Sequence, residues 1–490
     1  MVFSSILFLF YFLPAVLLIY YAAHAFATRH VQHALLTLLS YVFYGWANPL
    51  FVVLMFASTL IDYACGLWMS GQLRRGAWAR PVPRLEPGRR PALRERAAVT
   101  ISICTNLALL GFFKYFNFGI DSWNALMQAL GADAAAYENF LRITLPLGIS
   151  FYTFQSMSYS IDVYRGDARA IRNWTDFACY VSMFPQLVAG PIIRFQELAD
   201  QIMHRTHTVA KFARGAAFIG MGLAKKVLLA DPCGKVADQC FSAGALDALD
   251  AWSGAVAYSF QIYFDFSAYS DMAIGLGLLM GFMFAKNFDS PYLAQSITEF
   301  WRRWHLSLST WLRDYLYIPL GGNRKGAGRT YVNLMLVMLL GGLWHGASWN
   351  FVIWGGIHGL MLAVERLHGK RGFLGFAPPA ARTLVTFLIV TVAWVFFRAP
   401  DLSTAWNYLL SMLGLGATSP AAPLLSARIY TPYHVATLAA AAVTARFGVQ
   451  TWDFTRRLTW SRAVLVLLLF GAAVLMLVAT SFHPFIYFIF

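Results

Sequence analysis

The chain has 490 residues, of which 59% are hydrophobic and 12% are charged, with a formal net charge of +15. A soluble domain carries about twice that charged fraction, so the composition excludes an ordinary soluble protein. Lipid offers no hydrogen-bond partner to an open backbone, and the long apolar runs lack the alternation of a β-barrel, so the predicted class is an all-α polytopic membrane protein.

Thirteen apolar runs, spread over the whole chain, are predicted as membrane spans. The first run lacks a basic leader segment and is too long for the core of a signal peptide, so it is interpreted as a span. The runs lie near residues 3–23, 32–47, 49–68, 97–114, 142–164, 174–191, 212–230, 252–284 (where a break is allowed), 330–346, 349–366, 380–398, 433–447 and 463–482.

The arginines lie mainly in short loops between these runs, and they predict the orientation of the chain. The loop 69–96 has eight arginines and two glutamates, and the positive-inside rule predicts that it is cytoplasmic. Counting spans from this loop places both the N-terminus and the C-terminus outside. The basic stretches 321–329, 365–372 and 455–462 then face inward, in agreement with the rule. Topology alone therefore accounts for the positive charge, and no nucleic-acid partner is predicted.

Two aspartates, Asp265 and Asp271, lie in the apolar stretch QIYFDFSAYSD. Because buried carboxylates must be paired or hydrogen-bonded, this stretch is predicted to face the interior of the bundle. The pattern leaves open whether the two residues line a reaction tunnel or only join helices.

The segment 299–318, EFWRRWHLSLSTWLRDYLYI, departs from the apolar pattern. Its tryptophans, one leucine and one tyrosine recur at helical spacing, with charged residues elsewhere on the helix. Each arginine or aspartate at the centre of a bilayer costs about 2.5–3.5 kcal/mol on insertion scales. The segment is therefore predicted to be an amphipathic helix at the membrane interface or in a polar cavity.

Two histidines, His345 and His358, lie in the apolar stretch LWHGASWNFVIWGGIHG. Ionisable residues within spans commonly serve a site or a pathway, but a packing role is equally compatible with their position. On one straight helix they would be about 20 Å apart, so they could share a small site only if the chain turned between them. Residues 346–348 are the predicted turn, and Gly355 and Gly359 have the spacing of a close helix contact.

The remaining motifs exclude several kinds of site. The five cysteines are scattered and the histidines form no HExxH or similar cluster, so neither a disulfide framework nor a metal site is predicted. No GxSxG nucleophile elbow is present. The loop GGNRKGAG has two glycines at P-loop spacing but lacks the Lys-Ser/Thr pair of that motif. Its Arg324 and Lys325 are interpreted either as contacts for the phosphates of a cytosolic substrate or as charges that only set topology.

Six stretches of the chain together resemble the membrane-bound O-acyltransferase (MBOAT) superfamily, and within it the membrane subunits of bacterial alginate and peptidoglycan O-acetyltransferases. They follow in the order of the family over nearly the whole length. The stretches are SFYTFQSMSYSIDVYRG (150–166), FPQLVAGPIIRF (184–195), KKVLLAD (225–231), YFDFSAYSDMAIGLGLLMGF (263–282), FWRRWHLSLSTWLRDYLYIPLGGNR (300–324) and LWHGASWNFVIWGGIHG (343–359).

The resemblance implies a fold and a location. The fold is a helical bundle around a central pore or funnel, with interfacial or re-entrant helices, in the bacterial cytoplasmic (inner) membrane. The whole chain, 1–490, then forms one integral membrane domain. Its parts are N-terminal spans (1–68), a cytoplasmic arginine-rich loop (69–96), an MBOAT-like core (97–398) and C-terminal spans (399–490).

The resemblance also implies an activity, the transfer of acetyl groups from cytosolic acetyl-CoA toward hydroxyls of an exopolysaccharide or peptidoglycan. Acetyl-CoA is then a substrate, and no bound cofactor is expected. The chain shows no appended hydrolase-like domain, so a separate SGNH-type acetyltransferase outside the membrane is the implied partner, besides the polysaccharide acceptor and membrane lipids. The histidine that the family nearly always carries matches His345, and a second functional histidine matches His305.

These matches suggest a chemical role for each histidine. An imidazole with a pKa of about 6.5 can accept the proton of a hydroxyl at neutral pH, which makes the oxygen a nucleophile toward a thioester. We therefore predict that His345 is the base and that His305 orients or assists it. His358 and Asp265 are predicted to be neighbours that pack against the site or line its pore.

Two alternative functions are compatible with the same features. The first is a related enzyme, either a D-alanyl transferase for teichoic acids or an acyltransferase that modifies lipids or proteins. The second is a proton-coupled transporter that uses intramembrane histidines as a relay. A transporter of this kind is expected to have internal repeats and paired discontinuous helices, and the sequence shows neither.

Overall fold

The computed structural model of the protein describes residues 1–46, 48–74, 81–131, 142–369, 374–416, 422–480 and 485–486. Within these residues every regular element is a helix and none is a strand, which confirms the all-α prediction. Five of the helices are long and apolar enough to cross a membrane, as a multi-pass membrane protein requires. They are Phe8–Phe26, Leu50–Met69, Leu93–Ala129, Pro379–Arg398 and Trp460–Ala479.

The chain divides into two compact units, and the first contains Met1–Thr208 and Leu279–Phe284. A π-helical turn at Phe8–Phe12 leads directly into its first α-helix. The α-helices of this unit are α1 (Leu13–Phe26), α2 (Arg29–Gly45), α3 (Leu50–Met69), α4 (Leu93–Ala129), α5 (Ile149–Arg165), α6 (Trp174–Ser182), α7 (Phe184–Leu187) and α8 (Phe195–Met203).

Buried polar side chains join the helices of the first unit. Asp62 on α3 accepts hydrogen bonds from Ser102 Oγ (2.6 Å) and Asn106 Nδ2 (2.9 Å) on α4. In the first turn of α6, Asp176 Oδ1 lies 2.6 Å from Nδ1 of His33 on α2. These contacts satisfy polar groups that would be costly to bury alone.

The second unit contains Val209–Leu278 and Ala285–Phe490. The two units are defined by which residues pack together, whereas the predicted division into N-terminal spans, loop, core and C-terminal spans follows the sequence. The units therefore do not test that division, which stays a prediction. The α-helices that follow are α9 (Val209–Ala224), α10 (Asp231–Phe241), α11 (Ala248–Leu279), α12 (Ile297–Trp301), α13 (Leu306–Trp311), α14 (Ala327–His345), α15 (Trp349–Leu367), α16 (Pro379–Arg398), α17 (Leu402–Met412), α18 (Ala422–Ile429), α19 (Pro432–Phe447), α20 (Thr451–Phe454) and α21 (Trp460–Ala479). Shorter turns lie at Lys225–Ala230 (π), Pro291–Leu293 (3₁₀) and Leu312–Tyr317 (π).

The helix α11 is continuous, so the break allowed for this run is absent. Its two aspartates are held in ion pairs with lysines of the π-helical turn that joins α9 to α10. Asp265 lies 2.6 Å from Lys226 Nζ, and Asp271 lies 2.7 Å from Lys225 Nζ. The other oxygen of Asp265 accepts a hydrogen bond from the backbone N–H of Ile486 (2.6 Å). The prediction that these carboxylates are buried and paired is confirmed.

The segment predicted as one amphipathic helix consists instead of two short helices, α12 and α13, and a π-helical turn. The break lies at His305, whose φ of 44° is in the left-handed region and cannot continue a helix. The predicted face is nevertheless buried, with Trp304 at 0% and Leu308 at 1% relative exposure. The helical spacing therefore predicted correctly which residues are buried. Its prediction of one continuous helix is wrong.

The helices α14 and α15 form a hairpin whose turn lies at residues 346–348, as predicted. Glycines allow the two backbones to approach closely. A Cβ atom on Gly342 would lie 2.1 Å from the backbone oxygen of Phe351, and one on Gly355 would lie 2.3 Å from that of Met338. The hairpin turns the chain back immediately after His345 and so fixes the place of this side chain.

Candidate active site

His345 is the last residue of α14, and it lies in an aromatic enclosure. Its ring centroid is 5.0 Å from that of Trp344, 5.2 Å from that of Trp354 and 5.3 Å from that of Phe397. The relative exposure of His345 is 7%. Three separate elements, α14, α15 and α16, therefore hold this imidazole in apolar surroundings.

His305 lies in the same enclosure, with its ring centroid 6.4 Å from that of His345. It is fully buried, and its ring contacts Phe266 of α11 edge-on at 4.6 Å. Its Nδ1 lies 3.2 Å from Oδ1 of Asn287. The structure thus brings together the two histidines that the sequence selected, although their roles in a reaction stay a prediction.

The buried position of His305 affects its ionisation. The residue lies between two short helices and outside the five helices that are long enough to span a membrane. Burial lowers the pKa of this imidazole to about 3, because the charged form would lose its hydration. His305 is therefore neutral at physiological pH and can accept a hydrogen bond through a ring nitrogen.

His358 packs beside this enclosure, where it also contacts Trp354. The ring centroid of Trp354 is 5.2 Å from that of His345 and 4.9 Å from that of His358. Nδ1 of His358 accepts a hydrogen bond from the indole N–H of Trp301 (3.3 Å), and the ring stacks on Phe300 at 6.0 Å. These contacts favour the packing role over pore lining.

The other predicted site residues have partners of their own or lie in another part of the chain. The carboxylate of Asp265 is occupied by Lys226 and by the backbone of Ile486, as described above. Arg324 and Lys325 are exposed in the loop before α14, whereas His345 ends that helix. At 1.5 Å per residue, α14 separates the loop from His345 by about 27 Å. A compact ligand cannot contact both places, and only a long, extended one could.

A cavity of about 850 Å³ lies in the second unit, and its size suits a ligand of nucleotide dimensions. Its lining combines aromatic rings with two arginines, Arg303 and Arg446, and with Glu299, which is ion-paired with Arg303 at 2.8 Å. The ring of Tyr292, on its wall, is 6.4 Å from the ring of Trp304, the residue that precedes His305. The cavity therefore approaches the histidine enclosure and is separated from it by a buried indole.

The site contains residues that sequence patterns did not reveal. Asn287 lies in an irregular stretch with no periodicity, and nothing in the sequence connects it to His305. Phe397 and Trp354 were visible only as apolar residues of predicted spans. Among the described residues no group of three or more histidine, cysteine, aspartate or glutamate side chains lies close enough together to hold a metal ion.

Comparison of the sequence with known proteins identifies the family of the chain that carries this site. The model of the MBOAT, membrane-bound O-acyltransferase family matches residues 168–397, which include His305, His345 and His358. The probable alginate O-acetylase AlgI of Pseudomonas putida is 46% identical to this chain over 100% of both chains. The peptidoglycan O-acetyltransferase of Helicobacter pylori is 36% identical over 86% of this chain and 81% of its own length.

A teichoic acid D-alanyltransferase of Streptococcus thermophilus is also similar, with 30% identity over 45% of this chain and 56% of its own length. The similarity to the probable alginate O-acetylase extends over the full chain, through both compact units and both buried histidines. The chain therefore belongs to the membrane-bound O-acyltransferase family and is an acyltransferase.

Proposed function

We propose that this chain is a membrane O-acetyltransferase of the bacterial inner membrane. It takes acetyl groups from cytosolic acetyl-CoA and passes them toward hydroxyls of an alginate-type polysaccharide, through a separate SGNH-type protein outside the membrane. The observation that carries the proposal is the meeting of His305 and His345 in one buried enclosure, 6.4 Å apart between ring centroids. The names of the relatives support the acetyl group, since relatives that align over most of the chain include a probable alginate O-acetylase and a peptidoglycan O-acetyltransferase.

The proposed step is a single acyl transfer. His345 takes the proton of the acceptor hydroxyl, the hydroxyl oxygen forms a bond to the thioester carbonyl carbon, and the carbon–sulfur bond breaks. The proton then passes from the imidazole to the departing CoA thiolate, so that the products are an ester and CoA–SH. Positioned proton transfer of this kind contributes about 10²–10⁴-fold to a rate.

The aromatic enclosure supports this chemistry in two ways. Trp344, Trp354 and Phe397 surround His345 with groups that bind no water at their faces. Exclusion of water limits hydrolysis of the thioester, and it strengthens each remaining polar contact because the local dielectric constant is low.

The donor is proposed to enter from the cytoplasmic side, on which the arginine-rich loop 69–96 lies by the positive-inside rule. Arg324 and Lys325 are the proposed contacts for its phosphates, and they are predicted to be on the same side. Because α14 separates them from His345 by about 27 Å, acetyl-CoA must bind in an extended form, with its thioester far from its nucleotide. The cavity beside Arg446 offers a second place for phosphates, since Arg303 in the same cavity is already paired with Glu299.

Labelled membrane vesicles test the proposal directly. Inside-out vesicles that contain the protein receive acetyl-CoA labelled in the acetyl group, with and without an SGNH-type partner and polymer in the lumen. We expect label in the luminal polymer only when chain, partner and polymer are all present. Vesicles with the variant His345→Gln, at equal protein level, are the matched control and should stay unlabelled.

The same experiment separates the alternatives. Label that reaches the lumen as free acetate or intact acetyl-CoA would indicate transport instead of transfer. Transfer of D-alanine from a carrier thioester, in place of acetyl, would move the chain to the D-alanyl branch of the family. Either result overturns the proposal.

A further inference from the structure

We propose that Asn287 is a positioning residue, which holds His305 in the tautomer whose Nε2 carries the free lone pair. The inference rests on the proposed function, since it gives His305 a defined part in acyl transfer. It concerns the hydrogen bonds of the Asn287 side-chain amide. For each of these bonds, the chemistry of the partner group shows which atom is the donor and which is the acceptor.

The orientation of the Asn287 amide follows from a backbone group. The N–H of Ser307 lies 3.2 Å from Oδ1 of Asn287, and a backbone N–H can only donate. The hydroxyl of Ser307 donates to the same oxygen at 2.9 Å. On the opposite side, Nδ2 of Asn287 donates to Ser270 Oγ at 2.9 Å. The oxygen therefore faces the His305 side and the NH₂ group faces α11.

The tautomer of His305 follows from this orientation. Nδ1 of His305 lies 3.2 Å from the same Oδ1, which can only accept, so Nδ1 carries the proton and donates it. Ser307 Oγ lies farther from Nδ1, at 3.4 Å, and because its own proton is donated to Oδ1 it acts there as an acceptor. A neutral imidazole has one proton, and Nε2 is then unprotonated. This buried Nε2 has no hydrogen-bond partner in the part of the chain that the structure describes. It is free to accept a hydrogen bond from a reacting hydroxyl.

The backbone of Asn287 reinforces the arrangement. Its carbonyl oxygen accepts the N–H of Leu306 at 2.9 Å, and two residues later the N–H of Asp289 donates to the oxygen of Arg303 at 2.9 Å. These two bonds enclose His305, whose left-handed φ of 44° is unfavourable for a residue with a side chain. Asn287 thus supports both the backbone and the imidazole of His305.

The charged groups near His305 are paired with one another and do not bind the imidazole. The contact with Asn287 therefore determines which ring nitrogen of His305 carries the proton. The titratable ring that faces it is His345, from α14. Asp271, next to Ser270 on α11, is paired with Lys225, and Lys286, next to Asn287, is paired with Asp289. None of these charged groups makes a hydrogen bond to the imidazole.

Solid-state NMR of the full chain in lipid bilayers, labelled with ¹⁵N-histidine, tests the tautomer without reference to activity. The His305 signals are assigned by their loss in His305→Gln. We expect a protonated Nδ1 and an unprotonated Nε2 in the wild type, and a mixed or reversed tautomer in Asn287→Leu. The control Asn106→Leu removes an equally buried asparagine of the first unit and should leave these signals in place. A protonated Nε2 in the wild type overturns the inference.

Kinetics with labelled acetyl-CoA supply the second arm. Asn287→Leu should lower kcat about 10²-fold at an unchanged KM for the donor, because the imidazole that assists the base is no longer held in place, whereas donor binding is unchanged. Asn287→Asp keeps the acceptor and adds a negative charge, so it should restore most of the rate and shift its acidic limb upward by about one pH unit. A purely structural role would lower the melting temperature without moving the pH profile, and this outcome overturns the inference.

The failures of the two proposals are distinguishable. If His305→Gln abolishes transfer but Asn287→Leu changes neither tautomer nor kcat, the inference fails and the proposed function stands. If His305→Gln transfers acetyl at the wild-type rate, the proposed role of His305 fails, and with it the catalytic part of the inference.

Discussion

His305 and His345 lie with their ring centroids 6.4 Å apart, although α13, a π-helical turn, a loop and all of α14 separate them in sequence. Two changes of direction produce this meeting. The left-handed backbone at His305 directs the chain into α13 after α12 has ended, and the turn after His345 ends α14 against α15. At 6.4 Å the two rings are direct neighbours, so one reacting group can contact both, and Nε2 of His305 makes no bond to a described residue.

The first prediction concerns His345 as the base. His345→Gln keeps a polar side chain of similar reach but cannot take up a proton at neutral pH. We expect acetyl transfer to fall by about 10²–10⁴-fold, the usual contribution of a positioned general base. The measurement is the rate of label transfer per amount of protein in the membrane. His368→Gln, at an exposed histidine at the end of α15, is the matched control and should keep the wild-type rate. Transfer by His345→Gln within a factor of three of wild type would rule out this role.

The second prediction separates His358 from the catalytic pair. His358→Leu fills a similar space but leaves the indole N–H of Trp301 without its acceptor. We expect this loss to lower the free energy of unfolding by about 1–3 kcal/mol. The rate per folded molecule should fall less than tenfold. Thermal unfolding of the solubilised protein, together with the transfer assay, checks both parts. A stable His358→Leu protein without activity would instead make His358 part of the reaction.

The sequence carried enough information for the hairpin that places His345. Residues 346–348 interrupt the apolar run with small and polar side chains, and Gly355 has the spacing of a helix contact. Both features are local in the sequence. Small and polar residues favour a turn, and a glycine at helix-contact spacing allows two backbones to approach closely. The pairing of Asp265 was also foreseeable, because a buried carboxylate needs a partner wherever it lies. The identity of that partner, Lys226, was not, because it lies on another helix.

The break at His305 could not be foreseen from the same kind of pattern. The spacing of Trp301, Trp304, Leu308 and neighbouring residues fits one continuous helix, and this periodicity determines only which side chains are buried. The backbone of His305 is determined instead by the hydrogen bonds of Asn287, which belong to a distant, irregular segment. Long-range polar contacts of this kind leave no periodic trace in a sequence.

The third prediction tests the glycine contact of the α14–α15 hairpin. A Cβ at Gly355 would lie 2.3 Å from the backbone oxygen of Met338, and no flexible side chain can relieve this clash. We expect Gly355→Ala to lower the free energy of unfolding by about 1–3 kcal/mol, as overpacking does, and to reduce transfer by displacing His345. At Gly356 a Cβ would meet only the Cδ2 of Leu339 at 3.8 Å, so Gly356→Ala is the matched control. Equal thermal stabilities of the two variants would contradict the prediction.

The fourth prediction concerns Glu365, which joins α15 to the segment that carries His305. Its carboxylate accepts the backbone N–H of Ile297 (2.5 Å), the backbone N–H of Thr298 (2.8 Å) and the hydroxyl of Thr298 (2.7 Å), so it caps the N-terminus of α12. Glu365→Ala leaves these donors unsatisfied, and we expect a loss of about 1–3 kcal/mol in the free energy of unfolding.

Activity should fall together with stability in Glu365→Ala, because α12 leads directly to His305. Glu365→Gln keeps one acceptor oxygen and should lie between wild type and Glu365→Ala in both measurements. The control Glu86→Gln changes an exposed glutamate of the first unit and should match wild type. A Glu365→Ala protein with wild-type unfolding temperature would show that this cap is dispensable.

The fifth prediction decides where the phosphates of the donor bind. Arg324 and Lys325 are exposed, and exposed ionic contacts are individually weak, at about 0.2–1 kcal/mol each. Because two such contacts are lost, we expect the double variant Arg324→Gln, Lys325→Gln to raise the KM for acetyl-CoA several-fold. The value of kcat should not change, since neither residue reaches His345. The effect should decrease as salt concentration rises, because exposed charges are screened.

The comparison for this prediction is Arg446→Gln, at the cavity of about 850 Å³ that approaches Trp304. If Arg446→Gln raises KM and the double variant does not, the phosphates bind at the cavity and the loop before α14 only sets topology. The two places lead to different donor conformations, because only the loop requires acetyl-CoA to extend along the whole of α14. Measuring KM for acetyl-CoA and for a shorter acetyl thioester without phosphates, in both variants, therefore distinguishes loss of a phosphate contact from a general loss of the site.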